Sequence, residues 1–173
     1  MIRRVAVFGS QSEVDTPDAF AAAFEVGRLL GDQGIAMLYR GTEVGPIATA
    51  ADRTRAAGGE AIDFPSEEAF RAEVAARADA ILGLPGGFPT LEDGFAVWGW
   101  STDSTREQPL GLLDMGGYYS NLLRQASDGA VDRFVRESQR GLLVMSNDTE
   151  DLLRRLADYR SPERRRREAP GDD

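Results

Sequence analysis

Two hydrophobic rhythms alternate along this chain. Arg3 to Phe8, Ile35 to Tyr39, Glu60 to Phe64, Ala78 to Leu84, Pro109 to Leu113 and Gly141 to Met145 are short runs of strand length, several bounded by Gly or Pro. Between them apolar residues recur every three or four positions, the spacing of one helical face. Thr16-Pro17-Asp18 supplies a capping hydroxyl, a Pro for the first turn and an acid beside it. Phe20, Ala23, Phe24, Gly27 and Leu30 then line one predicted face, until Gly34 stops the helix. An Ala-rich helix opens in Arg40 to Ala48 and runs to about Ala57, before Gly58-Gly59. Ser66-Glu67-Glu68 caps a helix to about Arg77. Leu91, Phe95 and Trp98 mark another, with Pro89 in its first turn, and Asn147-Asp148-Thr149 opens the last, to about Tyr159. Tyr118 to Ala126 and Gly129 to Glu137 also read as helices.

Strands that alternate with helices predict an α/β fold: a Rossmann-like doubly wound parallel sheet with right-handed crossovers. The pattern fits a single domain over residues 1–160. Residues 161–173, with Arg164 to Arg167 among acidic neighbours, read as a mobile, solvated tail.

Composition narrows the chemistry. The chain has no Cys and no His, so thiolate nucleophiles, Ser–His triads and imidazole or thiolate metal sites are excluded. Acid–base work falls to carboxylates, Tyr or water. All twenty basic residues are Arg, and without Lys no pyridoxal phosphate Schiff base can form. A net charge of −9 argues against nucleic acid as a partner. No apolar run reaches membrane-spanning length and no signal-peptide pattern opens the chain, so the expected compartment is cytoplasmic. Abundant Arg and Ala with no Lys points to a high-GC bacterial genome.

The candidate chemistry gathers at Leu84-Pro85-Gly86-Gly87-Phe88-Pro89-Thr90-Leu91-Glu92-Asp93. A strand runs into a Gly-Gly turn and then a helix start, which leaves backbone N–H groups facing outward at the positive end of a helix dipole. Glu92 stands in that first turn, beside a potential anion site. The plain alternative is a tight strand-to-helix connection in which Glu92 only stabilises the helix. Two further segments lie at predicted strand ends, where open α/β sheets bind ligands: the Gly9-Ser10-Gln11-Ser12 turn and the loop carrying Gly41, Thr42 and Gly45. Asp114 ends another strand, as a ligand contact or as a turn former. An anion site beside a carboxylate suits a nucleoside monophosphate. N-glycosidic cleavage passes through an oxocarbenium-like ribose that a fixed carboxylate stabilises, and Glu92 is the candidate for that role.

Pro85-Gly86-Gly87-Phe88-Pro89-Thr90-Leu91-Glu92 resembles the P-G-G-x-G-T-x-x-E motif of the LOG ("lonely guy") family. These are cytokinin riboside 5′-monophosphate phosphoribohydrolases, often mislabelled lysine decarboxylases, a reaction this Lys-free chain cannot perform. Val5-Ala6-Val7-Phe8-Gly9-Ser10 resembles the family's opening strand and turn, and Gly111 to Tyr119 its G-L-L-N-x-x-G-Y-Y segment. Trp100 falls where the family has a Trp after the motif. The resemblance implies that Gly86, Gly87 and Thr90 hold phosphate, and that Ser10 and Gln11 hold the ribose or base side. It implies a homodimer, a small-molecule nucleotide or nucleoside as partner, and neither metal nor other cofactor.

The chain also departs from the family's pattern. Pro89 replaces a Gly and removes one N–H donor. Of the family's Gly-rich run only Gly41 and Gly45 match, with Arg40 and Glu43 adding charge of both signs. The family's Arg-Lys pair falls on Phe70-Arg71, so Arg71 is carried as a second catalytic candidate, although one step along a helix turns a side chain by about 100°. An exposed helical Arg and a core Phe are the plain alternatives. Phe70, Glu43 and Pro89 together predict a weakened phosphate cradle. Three readings stay open: a phosphoribohydrolase on its usual or a shifted nucleotide, a non-catalytic nucleotide-binding module, and a glycosidase acting on an unphosphorylated ligand.

Overall fold

Six strands run parallel in one sheet of order β3-β2-β1-β4-β5-β6. They are β1 (Arg4–Phe8), β2 (Ala36–Tyr39), β3 (Ala61–Asp63), β4 (Ala80–Gly83), β5 (Leu110–Leu113) and β6 (Leu143–Ser146). Among the described residues, five α-helices accompany them: α1 (Pro17–Asp32), α2 (Gly45–Ala56), α3 (Glu67–Arg77), α4 (Phe88–Asp103) and α5 (Thr149–Ala157). A 3-10 turn covers Met115–Gly117, and residues 118–121 continue helically. The computed structural model describes residues 2–13, 15–41, 43–103, 108–121 and 142–160. The expected helix at 129–137 and the tail at 161–173 lie outside these.

The caps sit where the sequence pattern puts them. The Ala19 N–H donates to Thr16 Oγ1 at 3.2 Å, the Ala69 N–H to Ser66 Oγ at 3.1 Å, and the Asp151 N–H to Asp148 Oδ1 at 2.7 Å. Each satisfies a backbone donor that the helix leaves unpaired.

Side-chain alternation along the strands divides the core in two. Val5 and Val7 face one layer, with Val26 and Leu30 of α1, Ile47 of α2 and Leu152 of α5. Ala6 and Phe8 face the other, with Phe70 and Val74 of α3. Helices on both sides bury both faces of the sheet, the doubly wound arrangement.

One helical face differs from its expected composition. On α1 the buried positions are Ala19, Ala22, Ala23, Val26, Gly27, Leu29, Leu30 and Gly31, whereas Phe24 is 47% exposed. The cause is close packing of α1 on α2: a Cβ on Gly27 would lie 2.3 Å from the Ala50 carbonyl oxygen. Small residues take the seam. Phe24 is left at its edge, where the Arg53 guanidinium stacks over the ring at 4.7 Å.

Candidate functional site

Strand order locates the site. After β1 the chain turns back toward β2, and β4 pairs with the other side of β1. The direction of winding reverses between β1 and β4, which opens a crevice at their carboxyl ends. A cleft of about 720 Å³ occupies that place.

Four segments line it. The turn after β1 supplies Gly9, Ser10, Gln11, Ser12 and Asp15, and the end of β2 supplies Arg40. The first residue of α3 supplies Glu67, the turn before α4 supplies Gly87, and the start of α4 supplies Thr90, Glu92 and Asp93. These loops are tied together. Gln11 Nε2 donates to the Arg40 carbonyl at 3.2 Å, and the Ile47 N–H donates to the Ser10 carbonyl at 3.2 Å. Gly45, at φ +85°, lies so near that turn that a Cβ there would sit 2.7 Å from the Gln11 carbonyl carbon. Its role is close approach of backbones.

Thr90 has an unusual environment. Its side chain is buried, at 1% exposure, and its Oγ1 has no hydrogen-bond partner. The hydroxyl packs on Gly86, where a Cβ would stand 2.2 Å from it. A buried polar atom left unpaired costs free energy. The preceding strand end is pinned: the Tyr119 hydroxyl donates to the Leu84 carbonyl at 2.7 Å. Burial, with Tyr118 and Asp114 acting in the same sense, pushes the Tyr119 phenol pKa up.

The two carboxylates of the motif differ. Glu92 is exposed, whereas Asp93 is half-buried. Burial raises the Asp93 pKa; Arg40 pulls it down, and Glu67 and Glu92 push it further up. The nine positions of P-G-G-x-G-T-x-x-E, counted from Pro85, end on Asp93. That count, which places the acid one residue beyond Glu92, was available in the sequence.

The sequence-based candidates divide. Ser10, Gln11, Gly87, Thr90 and Glu92 line the cleft, with Gly86 directly behind Thr90. Gly41 does not; it borders a separate hollow of about 330 Å³ with Tyr39, Glu43 and Arg55. Glu43 therefore adds its charge to that hollow, and the expectation that it weakens a phosphate cradle is corrected. Thr42 lies outside the described residues. Asp114 is a turn former: its Oδ1 accepts from the Tyr119 and Ser120 N–H groups at 2.7 and 3.2 Å, and its Oδ2 accepts from the Ser120 hydroxyl.

The pair on α3 is also corrected. Phe70 is 5% exposed and packs among Ala6, Phe8, Leu38 and Val74, with the Phe64 ring centroid 6.1 Å away. It is a core residue, and placing Arg there would bury a charge. Arg71, one position on, is exposed and is not among the cleft's lining residues. Arg40, Asp15, Glu67 and Asp93 are the charged lining residues to which the sequence pattern gives no site role. In the sequence alone Arg40 reads only as charge within a loop.

Among the described residues no group of three or more acidic side chains is placed to hold a metal ion. None of their helices is long and apolar enough to cross a membrane.

With this geometry in view, a family profile described as "Possible lysine decarboxylase" matches residues 36–156. A rice protein (Oryza sativa subsp. japonica) named "Probable cytokinin riboside 5′-monophosphate phosphoribohydrolase" is 30% identical, the match covering 91% of this chain and 78% of the relative. A cytokinin riboside 5′-monophosphate phosphoribohydrolase of Arabidopsis thaliana is 27% identical, covering 91% of this chain and 82% of the relative. Among solved structures, the Moco carrier protein of Chlamydomonas superposes with a TM-score of 0.65 at 16% identity, covering 91% of this chain and 97% of that one. The molybdenum cofactor binding protein of Rippkaea orientalis also reaches 0.65 at 16% identity, covering 90% and 96%. At such identity these structures speak to the fold alone.

Proposed function

We propose, because this chain belongs to the LOG family, that its cleft hydrolyses the base–ribose bond of a nucleoside 5′-monophosphate. The observation that carries this reading is the buried, unpartnered Thr90 hydroxyl at the start of α4, with the Glu92 and Asp93 carboxylates following it into the same cleft. A phosphate oxygen gives Thr90 its missing partner and meets the positive end of the α4 dipole. The carboxylates then stand near the sugar.

As the C1′–N bond breaks, positive charge spreads over C1′ and the ring oxygen. A carboxylate held partly out of water stabilises that charge more than an exposed one does. On this ground Asp93 takes the larger share and Glu92, at the exposed rim, the smaller. Water adds its oxygen to C1′ and gives up a proton to solvent, and a proton from solvent ends on the departing base nitrogen. The products are the free base and ribose 5-phosphate. Decarboxylation of lysine, the wording of the family profile, would need a Lys Schiff base that this chain cannot form.

The test is chromatography of purified protein incubated with nucleoside 5′-monophosphates and the matching nucleosides. Base is expected from at least one monophosphate, faster than from its nucleoside. Release from none of them overturns the reading. Binding without release would fit the second one, a non-catalytic nucleotide-binding module, which the burial of Phe70 favours because α3 then offers the cleft no cation from that position.

A further inference from the structure

The charges of the cleft are lopsided. Asp15, Glu67, Glu92 and Asp93 bring negative charge into it, and among its described lining residues Arg40 alone brings a positive one. Such a lining repels a phosphate except where the guanidinium reaches it. Arg40 extends from a pinned backbone: its carbonyl accepts from Gln11 Nε2 at 3.2 Å, and the next N–H, that of Gly41, donates to Asp63 Oδ1 at 3.3 Å. The side chain borders both the main cleft and a small cavity of about 20 Å³ beside Phe70, Glu67 and Asp93. It thus shares the lining of that cavity with Glu67 and Phe70 of α3. Its charge is felt at Asp93.

We propose that Arg40 selects phosphorylated over unphosphorylated ligands, its forked guanidinium pairing with the 5′-phosphate. The proposal rests on the reading of the cleft as a nucleotide site. It goes further by assigning phosphate preference to a residue on the β2 side, remote in sequence from the Gly-Gly turn. A guanidinium makes two parallel hydrogen bonds to phosphate, and among the described lining residues no other cation shares the task. If Arg40 were instead a counter-charge for Asp93 and Glu67, its loss would alter stability and the pH profile without distinguishing ligands by their phosphate.

Calorimetric titration of AMP, ribose 5-phosphate and adenosine into the wild type, Arg40→Gln and Arg40→Lys decides between these, with a thermal melt of each protein. The wild type should bind AMP more tightly than adenosine. Arg40→Gln should lose roughly ten- to hundredfold in affinity for AMP and ribose 5-phosphate, with adenosine changed by no more than about twofold. Arg40→Lys keeps the charge but not the fork and should lose several-fold, again only for the phosphorylated ligands. Should Arg40→Gln fail to melt cooperatively, Arg40→Lys carries the decision. Equal losses for AMP and adenosine, no loss for AMP, or a wild type indifferent to the phosphate overturns the proposal. A wild type that binds AMP through Arg40 yet releases no base overturns the hydrolase reading and leaves this one standing.

Discussion

Thr90 and Asp93 show how single side chains are held at a cost within the cleft. Replacing Thr by Val in a core normally sacrifices a hydrogen bond, but Thr90 Oγ1 makes none. Thr90→Val is therefore expected to leave the free energy of unfolding unchanged or to raise it by up to about 1 kcal/mol, measured by urea titration. The same change should weaken AMP binding by roughly tenfold. A clearly destabilised Thr90→Val, or one with undiminished affinity, contradicts the role given to the hydroxyl. For Asp93, burial raises the folded pKa above its unfolded value. The folded state then keeps the proton to higher pH, so the group's stabilising contribution is full below the unfolded pKa and is lost as pH rises through the raised one. Once ionised, the carboxylate costs stability relative to its protonated form. Asp93→Asn should melt above the wild type at pH 7, with the difference shrinking in acid. It should also lower base release by roughly 10²–10⁴, and Glu92→Gln by less. An Asp93→Asn that melts lower at pH 7, or that turns over at the wild-type rate, sinks this assignment.

Among the elements, the helices were readable because capping and turn chemistry act within a few residues. Thr16, Ser66 and Asp148 each cap as their sequence context suggests. Which face a helix buries is less local. The 3.6-residue pattern put Phe24 inside, whereas α1 meets α2 through Gly27 and Gly31, where a Cβ would clash. That seam supports a prediction. Gly27→Ala drives a methyl against the backbone of α2, which cannot rotate away, and should cost about 1–3 kcal/mol. A chemical denaturation midpoint equal to that of the wild type would show that the two helices can separate without penalty. Because α2 starts against the Ser10–Ser12 turn at Gly45, the variant should also bind AMP more weakly.

For the whole molecule, the surface of α4 bears on assembly. Phe88 is 87% exposed and Phe95 51% exposed, seven residues apart and so on one face of the helix. The side chains of Trp98 and Trp100 lie outside the described residues. Two exposed aromatic rings beside the cleft fit burial against a second copy, and we expect a homodimer by light scattering at micromolar concentration. A monomer there would end that expectation without touching the fold.

The alternation of strands and helices, the positions of most elements and the Gly-Gly turn before α4 follow from the sequence, since periodicity and turn chemistry depend on near neighbours. The parallel sheet follows too, because each strand is separated from the next by a crossover. What a side chain meets on leaving the backbone was settled only by the packed sheet. Strand order set β1 beside β4 and gathered Ser10, Thr90 and Asp93 into one cleft. Packing turned Phe70 into the core and Arg71 to solvent, and sent Arg40 to the cleft but Glu43, three residues on, to a different hollow. Direction is the reason: spacing along a chain says which residues share an element, whereas the partner facing each of them comes from segments distant in the chain.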